Sequence, residues 1–191
     1  EKFNWDNKLP IVMIFSNDFI DGIFTNSWNL YRDRILWLRA TLDYIKDIKN
    51  INWLIKPHPN EIINKVKTST ALEVQKYLHY KNIRLFPKDY GIEPLSKIIN
   101  CAISAQGSVG YEYPALGVPC IICGESLSTG HGISIEPKTE EEYFNYLKKI
   151  DKIDLVTKDQ MDKAKVFIYI YSELTRVFSP LIPNTSSDDF K

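Results

Sequence analysis

The stretch CAISAQGSVGYEYPALGVPCIICGESLSTGHGISIEP, residues 101–137, constrains the fold more than any other part of the chain. It reads as a short apolar strand, a turn of small residues, a helix opening, a second short strand and a long glycine-rich loop. Small residues at Gln106, Gly107, Ser108, Val109 and Gly110 let a backbone approach a ligand closely, and amides at a helix start point at anions. A second signal lies upstream in WLIKPHPNE, residues 53–61, where a strand ends abruptly in two prolines bracketing His58.

Strand and helix alternate along the rest of the chain. Residues 11–15 form an apolar strand, followed by polar Ser16, Asn17 and Asp18. Leu30, Ile35, Leu38, Leu42, Ile45 and Ile48 recur near 3.6-residue spacing, which predicts a helix over 30–49. Residues 51–55 are the second strand, closed by Pro57 and Pro59, which lack the N–H that sheet pairing needs. Helix is expected over 61–80, broken near Thr68, Ser69 and Thr70. A third strand follows at 83–86, a short helix at 93–100, a strand at 101–104, a helix at 109–116 and a fifth strand at 120–123. Thr139 with Glu142 three residues on has the capping-box pattern for a helix over 140–150. A last amphipathic helix spans 158–178, and Pro180, Pro183 and the Ser/Asp-rich end read as a disordered tail over 180–191.

Strands alternating with crossover helices imply a parallel sheet with helices on both faces, an α/β Rossmann-like domain over 1–179. Such sheets bind ligands beyond the carboxyl ends of their strands. The suspicious segments all fall there: Ser16 and Asn17 after the first strand, Lys56, His58, Pro59 and Asn60 after the second, Gln106 to Gly110 after the fourth, and the loop with His131 after the fifth. Glu112 lies in the first turns of the following helix, where a carboxylate can reach the hydroxyls of a ribose. Two strand ends carrying polar, phosphate-friendly residues point to a nucleotide site.

Composition narrows the classes. Lys and Arg number 24 and so do Asp and Glu, which leaves no basic excess for tracking a phosphate backbone and argues against a nucleic-acid partner. No apolar run approaches the ~18 residues that span a bilayer, and the N-terminus lacks a signal-peptide layout. The first residue is Glu1, so a piece of a longer protein is expected. Three cysteines give no disulfide framework. Cys120 and Cys123 have CxxC spacing, but on a strand they face opposite sides, which predicts structural thiols and suits a reducing, cytoplasmic setting.

The K-P-H-P-N-E element, the G-S-V-G-x-E-x-P-A-L-G-V-P element and the closing G-H-G-x-S-I-E-P run together resemble the nucleotide-binding half of GT-B glycosyltransferases. The nearest likeness is to bacterial capsule and surface-polysaccharide proteins, including Kdo- and sialic-acid-polymer transferases with a His-Pro motif; it covers about residues 11–149. Related patterns occur in wall teichoic acid polymerases and, more distantly, in UDP-sugar epimerases. The resemblance implies that His58, with Pro59, meets the nucleotide phosphate and stabilises the leaving group, that Ser108 assists, and that Glu112 holds the ribose. It implies a nucleotide-sugar donor, CMP-linked in preference to CDP- or UDP-linked, and a glycan acceptor. It also implies an N-terminal GT-B domain outside this chain that supplies the catalytic base, so that the fragment alone is inactive. The final helix resembles the one that crosses back toward that half, and the whole protein would work in the cytoplasm, at the inner membrane face. Gly107-Ser108 supplies one hydroxyl where the sialic-acid-polymer transferases have two, which leaves the sugar open.

No DxD-type acidic pair follows a strand, so neither a metal nor a cofactor is expected, and helix starts and basic side chains would stabilise the leaving phosphate. Each residue has a plainer reading. His58 could merely end a strand, Lys56 could snorkel, Glu112 could be a solvated helix residue, His131 a surface loop residue, and Ser16 and Asn17 ordinary loop polars. Two other classes stay open: a glycerophosphotransferase- or epimerase-like enzyme, and a non-catalytic nucleotide-binding module.

Overall fold

The structure is a computed structural model that describes residues 3, 5–20, 28–63, 68–87 and 95–175. Its centre is a five-stranded, wholly parallel sheet built from β1 (Ile11–Phe15), β2 (Asn52–Lys56), β3 (Ile83–Leu85), β4 (Cys101–Ser104) and β5 (Cys120–Ile122). The strand order is β3-β2-β1-β4-β5. The chain therefore reverses its winding between β1 and β4, and a crevice opens outside the carboxyl ends of those two strands.

Period-two alternation sends successive strand residues to opposite cores. Val12, Ile14, Trp53, Ile55, Cys101, Ile103 and Ile121 join Trp37, Leu38 and Leu42 of α1 (Arg34–Ile45), Val74 of α3 (Thr70–Gln75) and Tyr143 and Leu147 of α5 (Glu140–Lys148). Met13, Phe15, Leu54, Ala102, Cys120 and Ile122 face the other way, onto Tyr113 of α4 (Val109–Ala115) and onto Leu95 and Ile99. With both faces covered, the strands are mostly apolar, as a parallel sheet requires, and Asn52, Lys56, Arg84 and Ser104 are their polar members. A third cluster locks α4 to α6 (Lys158–Tyr169) through Tyr111, Ala115, Ile133 and Ala164, with Phe167 and Ile168 packed against it. Cys120 lies in one core and Cys123 in the other, so the CxxC pair is split across the sheet; all three thiols are buried and free. Burial pushes each of them up from the ordinary thiol range, which makes them poor nucleophiles.

Several elements are shorter than their periodicity suggests. α1 begins at Arg34, not at residue 30, because Asp33 caps it by accepting from the Leu36 N–H at 2.7 Å. Leu30 instead donates its N–H to Cys123 at 2.9 Å, and Asn29 forms a bridge with Gly124. Those two residues extend the end of β5 and cannot also wind into a helix. The strand at β2 runs one residue later than expected, so Lys56 is its last paired residue, opposite Phe15. The helix expected over 61–80 divides into α2 (Asn60–Ile63) and α3, where Ser69 caps α3 by accepting from Leu72 N–H; residues 64–67 lie outside the described set. Of the helix expected over 93–100, a 3-10 turn at Leu95–Lys97 stands among the described residues.

Thr139 caps α5 as expected, but the Glu142 carboxylate accepts from Lys138 N–H at 2.7 Å and not from Thr139, so the reciprocal bond is offset by one residue. The complete capping box belongs to α6, between Thr157 and Gln160. After Tyr169 that helix continues as a π-helical turn over Ile170–Leu174. The expected tail over 180–191 lies outside the described residues.

Candidate functional site

Most of the strand-end residues converge on one concavity of about 380 Å³ at the carboxyl edge of the sheet. Ser16 and Asn17 enter from β1, Lys56, His58 and Pro59 from β2, and Gln106, Gly107, Ser108, Val109 and Glu112 from the β4–α4 corner. Phe15, Tyr113 and Leu116 supply apolar wall.

A hydrogen-bonded clip fixes the floor. Ser104, the last residue of β4, is fully buried, and its hydroxyl lies 2.9 Å from the Phe15 carbonyl, 2.8 Å from the Gln106 carbonyl and 3.2 Å from Asn17 Oδ1. The Asn17 amide donates to that same Gln106 carbonyl at 2.9 Å. Ser16 donates its N–H to the Lys56 carbonyl at 2.9 Å. The three strand ends are thus held by one continuous set of polar contacts. Gly107 sits at φ 108°, a backbone state that side-chain-bearing residues rarely adopt, and turns the chain sharply into α4.

His58 Nδ1 accepts from the Asn60 backbone N–H at 3.2 Å. A neutral imidazole bonded in that way carries its proton on Nε2, so the ring presents a donor on its other side. Lys56 is half-buried, and burial pulls its ammonium below the usual lysine range; its Nζ lies 3.5 Å from the Pro57 carbonyl. A partly desolvated cation and an imidazole N–H on one wall can meet the charge of a phosphate. Glu112 is exposed at the cavity rim, one helical turn beyond Ser108.

Three expected residues stand elsewhere. Gly110 packs against β5 and does not line the cavity: a Cβ built there would meet Ile122 Cγ1 at 2.9 Å, so a glycine here permits close helix–sheet contact. Asn60 opens α2 and is exposed, contributing its N–H to His58 and no wall to the cavity. His131 stands against α6, its ring 5.7 Å from that of Phe167, and it lines neither this cavity nor its neighbour.

The neighbour is a wider concavity of about 690 Å³ that shares Asn17, His58, Gln106, Gly107 and Ser108 and adds Asp18, Arg34, Glu125, Ser126 and Thr129. Arg34 was invisible as a site residue from sequence. Its Nε and Nη2 donate to Gln106 Oε1 at 3.1 and 2.7 Å, and Nη1 donates to the Asp18 carbonyl at 2.6 Å. The Gln106 amide in turn donates to Asn29 Oδ1 at 2.6 Å. The Gln106 side chain is therefore held on both sides by the scaffold, and the residue lines both concavities. Glu61 and Thr70 were missed as well. Both are buried behind Ser16, and the KPHPNE run was the available signal for Glu61. Among the described residues no three His, Cys, Asp or Glu side chains stand together as a metal site, and no helix is long and apolar enough to cross a membrane.

No family model and no curated protein matches the chain. Solved structures do. The chain is similar to UDP-GlcNAc 2-epimerase from Neisseria meningitidis bound to UDP-GlcNAc, at 16% identity over 86% of this chain and 41% of that one, with a TM-score of 0.52. It is similar to sucrose-phosphate synthase from Thermosynechococcus elongatus, at 12% identity over 90% and 44%, TM-score 0.55. It is also similar to the wall teichoic acid polymerase TagF, at 15% identity over 87% and 40%, TM-score 0.52. At such identities the likeness establishes the fold: an α/β Rossmann-like domain, one half of a GT-B architecture. The chain spans less than half the length of each of these proteins.

Proposed function

We propose that the carboxyl-edge cavity binds the nucleotide of an activated sugar, and that this chain is the donor-binding domain of a GT-B glycosyltransferase building a bacterial capsule or other surface glycan. The observation that carries the reading is the convergence of Lys56, His58, Ser108 and Glu112, from two separate motifs, on one concavity at the switch point of the sheet. In this reading His58 Nε2–H and the Lys56 ammonium offset the charge that develops on the leaving phosphate, with the Ser108 hydroxyl beside them and Glu112 accepting from ribose hydroxyls. One such donor at an oxyanion contributes ~3 kcal/mol in other enzymes. No metal is required, because the cation and the imidazole take its place.

The acceptor and the catalytic base belong to a second domain, so the chain alone does not turn over a donor. Val166, Tyr169, Ile170, Tyr171 and Leu174 are exposed along α6 and the turn after it and form the apolar face expected to meet that domain. The motif resemblance favours a CMP-linked sugar and a cytoplasmic site of action at the inner membrane face. A glycerophosphotransferase- or epimerase-like activity is the second reading, favoured by the fold likeness to TagF and to the UDP-GlcNAc 2-epimerase.

Ligand-observed NMR with CMP, CDP, UDP and GDP, each with and without EDTA, tests the proposal. Binding of at least one nucleotide that survives chelation is expected. CMP preference supports a Kdo- or sialic-acid-type donor, CDP a glycerol or ribitol donor, and UDP a hexose donor or the epimerase reading. Binding abolished by EDTA overturns the metal-free account, and no binding to any of the four overturns the nucleotide site.

A further inference from the structure

Behind the cavity wall lies a carboxylate that the proposed chemistry leaves unused. Glu61 is 8% exposed, in the short α2, and Thr70, at the start of α3, is fully buried beside it. The Thr70 backbone N–H donates to Glu61 Oε2 at 3.0 Å, and the Thr70 hydroxyl is hydrogen-bonded to Glu61 Oε1. That same hydroxyl lies 2.6 Å from the hydroxyl of Ser16, which lines the cavity. Carboxyl, threonine hydroxyl and serine hydroxyl form an unbroken file from the interior to the ligand edge.

Counting protons along the file fixes what Ser16 offers to a ligand. Two close O···O contacts need two shared protons. When Glu61 is ionised, Thr70 must give its proton to the carboxylate and Ser16 must give its own to Thr70. The Ser16 oxygen then has only lone pairs for the cavity, which repel an anion. When Glu61 is protonated, the carboxyl donates to Thr70, Thr70 donates to Ser16, and the Ser16 proton, released from Thr70, can turn from the Asn17 carbonyl 3.3 Å away to the ligand. Within the file, the only group that gains or loses a proton is Glu61; the other two rotate.

We propose that Glu61 is a positioning residue which, through Thr70, sets the polarity of the Ser16 hydroxyl, so that binding of a phosphate-bearing ligand is coupled to a proton held on Glu61. The proposal rests on the nucleotide reading of the cavity. The surroundings favour it: burial raises the Glu61 carboxyl from its usual range, and the negative Asp18 side chain from the loop after β1 adds to that, while the Thr70 bonds and the His58 backbone amide oppose it. Asp18 is the charged side chain facing Glu61 from the β1 side, His58 comes from the β2 end, and α3 presents the uncharged Thr70.

Glu61→Gln supplies the test, because its amide oxygen can accept from Thr70 N–H while its amide nitrogen donates to the Thr70 hydroxyl. That fixes the file in the outward-donating sense at every pH. The tightest-binding nucleotide of the CMP, CDP, UDP and GDP set is titrated calorimetrically into wild type and Glu61→Gln between pH 5 and pH 8.5. Titration of the ligand phosphate is common to both proteins and cancels in the ratio of the two affinities. The ratio is expected to be near one at acid pH and to rise with pH to a plateau about ten- to a hundredfold in favour of Glu61→Gln, the range of one hydrogen bond to a charged group. In a Ser16→Ala background the same substitution should change affinity by less than about twofold at any pH, since the file then ends short of the cavity. A pH-independent ratio, or an equal Glu61→Gln effect with and without Ser16, overturns the proposal and leaves the nucleotide site standing. Failure of wild type to bind any nucleotide across the pH range overturns both.

Discussion

Gly124→Ala probes the scaffold beneath the site with a single methyl group. A Cβ at this position would lie 2.4 Å from Asn29 Oδ1, 3.0 Å from the Ala105 carbonyl oxygen and 3.1 Å from Gln106 Cγ. The Asn29 oxygen would have to retreat by roughly 1 Å to reach ordinary contact, which breaks its 2.6 Å bond from the Gln106 amide. The Ala105 carbonyl is backbone just beyond β4 and has little freedom to yield. Asn29 is an exposed residue, so its side chain can swing outward, and the loss lies toward the lower end of the overpacking and hydrogen-bond ranges. We expect about 1–2 kcal/mol of destabilisation, or a fall in Tm of roughly 2–8 °C for a chain of this size. Nucleotide affinity should fall with it, because Gln106 shapes both concavities. Calorimetric melts of wild type, Gly124→Ala, Asn29→Ala and the double variant provide the assay. Removing the Asn29 side chain removes the closest clash, so the alanine at 124 should cost less in that background. A Gly124→Ala melt within about 1 °C of wild type, or the same cost with and without Asn29, would refute this account of the corner.

Two further perturbations separate stability from recognition. Arg39 forks onto Glu73 at 2.9 and 2.7 Å and Lys76 adds a contact at 2.8 Å, so that these partners hold the Glu73 carboxyl down to about 2 from its ordinary 4.5. A depressed carboxylate stabilises the fold fully above its unfolded value, and that stabilisation drains away as pH falls from about 4.5 through about 2. Glu73→Gln should therefore flatten this stretch of the acid limb in urea titrations. It should cost about 1–3 kcal/mol at pH 7, less than the full shift implies because Arg39 is half exposed; an unchanged acid limb would dismiss the pair as a stabiliser. Glu112→Ala, at an exposed position, should leave the melt unchanged and weaken nucleoside and nucleotide alike by ~1–3 kcal/mol. A loss confined to the nucleotide would remove Glu112 from the ribose.

What the sequence made legible follows from where the information is local. Strand alternation, the prolines after Lys56 and the small residues after Ser104 are written in neighbouring positions, and they located the sheet and most of one cavity wall. Helix ends were less legible because tertiary contacts decide them: Leu30 has helical spacing, yet its N–H is taken by Cys123. Gly110 and Gly107 look alike in a run of small residues. Only the closeness of Ile122 to one and the φ of 108° at the other separate a packing glycine from a turning one. Arg34, Thr70 and Ser104 reach the site from distant parts of the chain, and no spacing announces that Arg34 will meet Gln106. His131 drew notice for its flanking glycines, but its ring is placed by Phe167, from a helix that the loop pattern does not mention.

The central claim is that His58 meets a phosphate in the cavity at the switch point of the sheet. Measuring, in wild type and in His58→Ala, the difference in binding free energy between a nucleotide and its own nucleoside isolates that contact, because base and ribose cancel. The account predicts that wild type favours the nucleotide, and that the substitution removes about 1.5–3 kcal/mol of this preference while leaving nucleoside affinity and the ligand-free melt unchanged. An undiminished preference for the nucleotide in His58→Ala would contradict it.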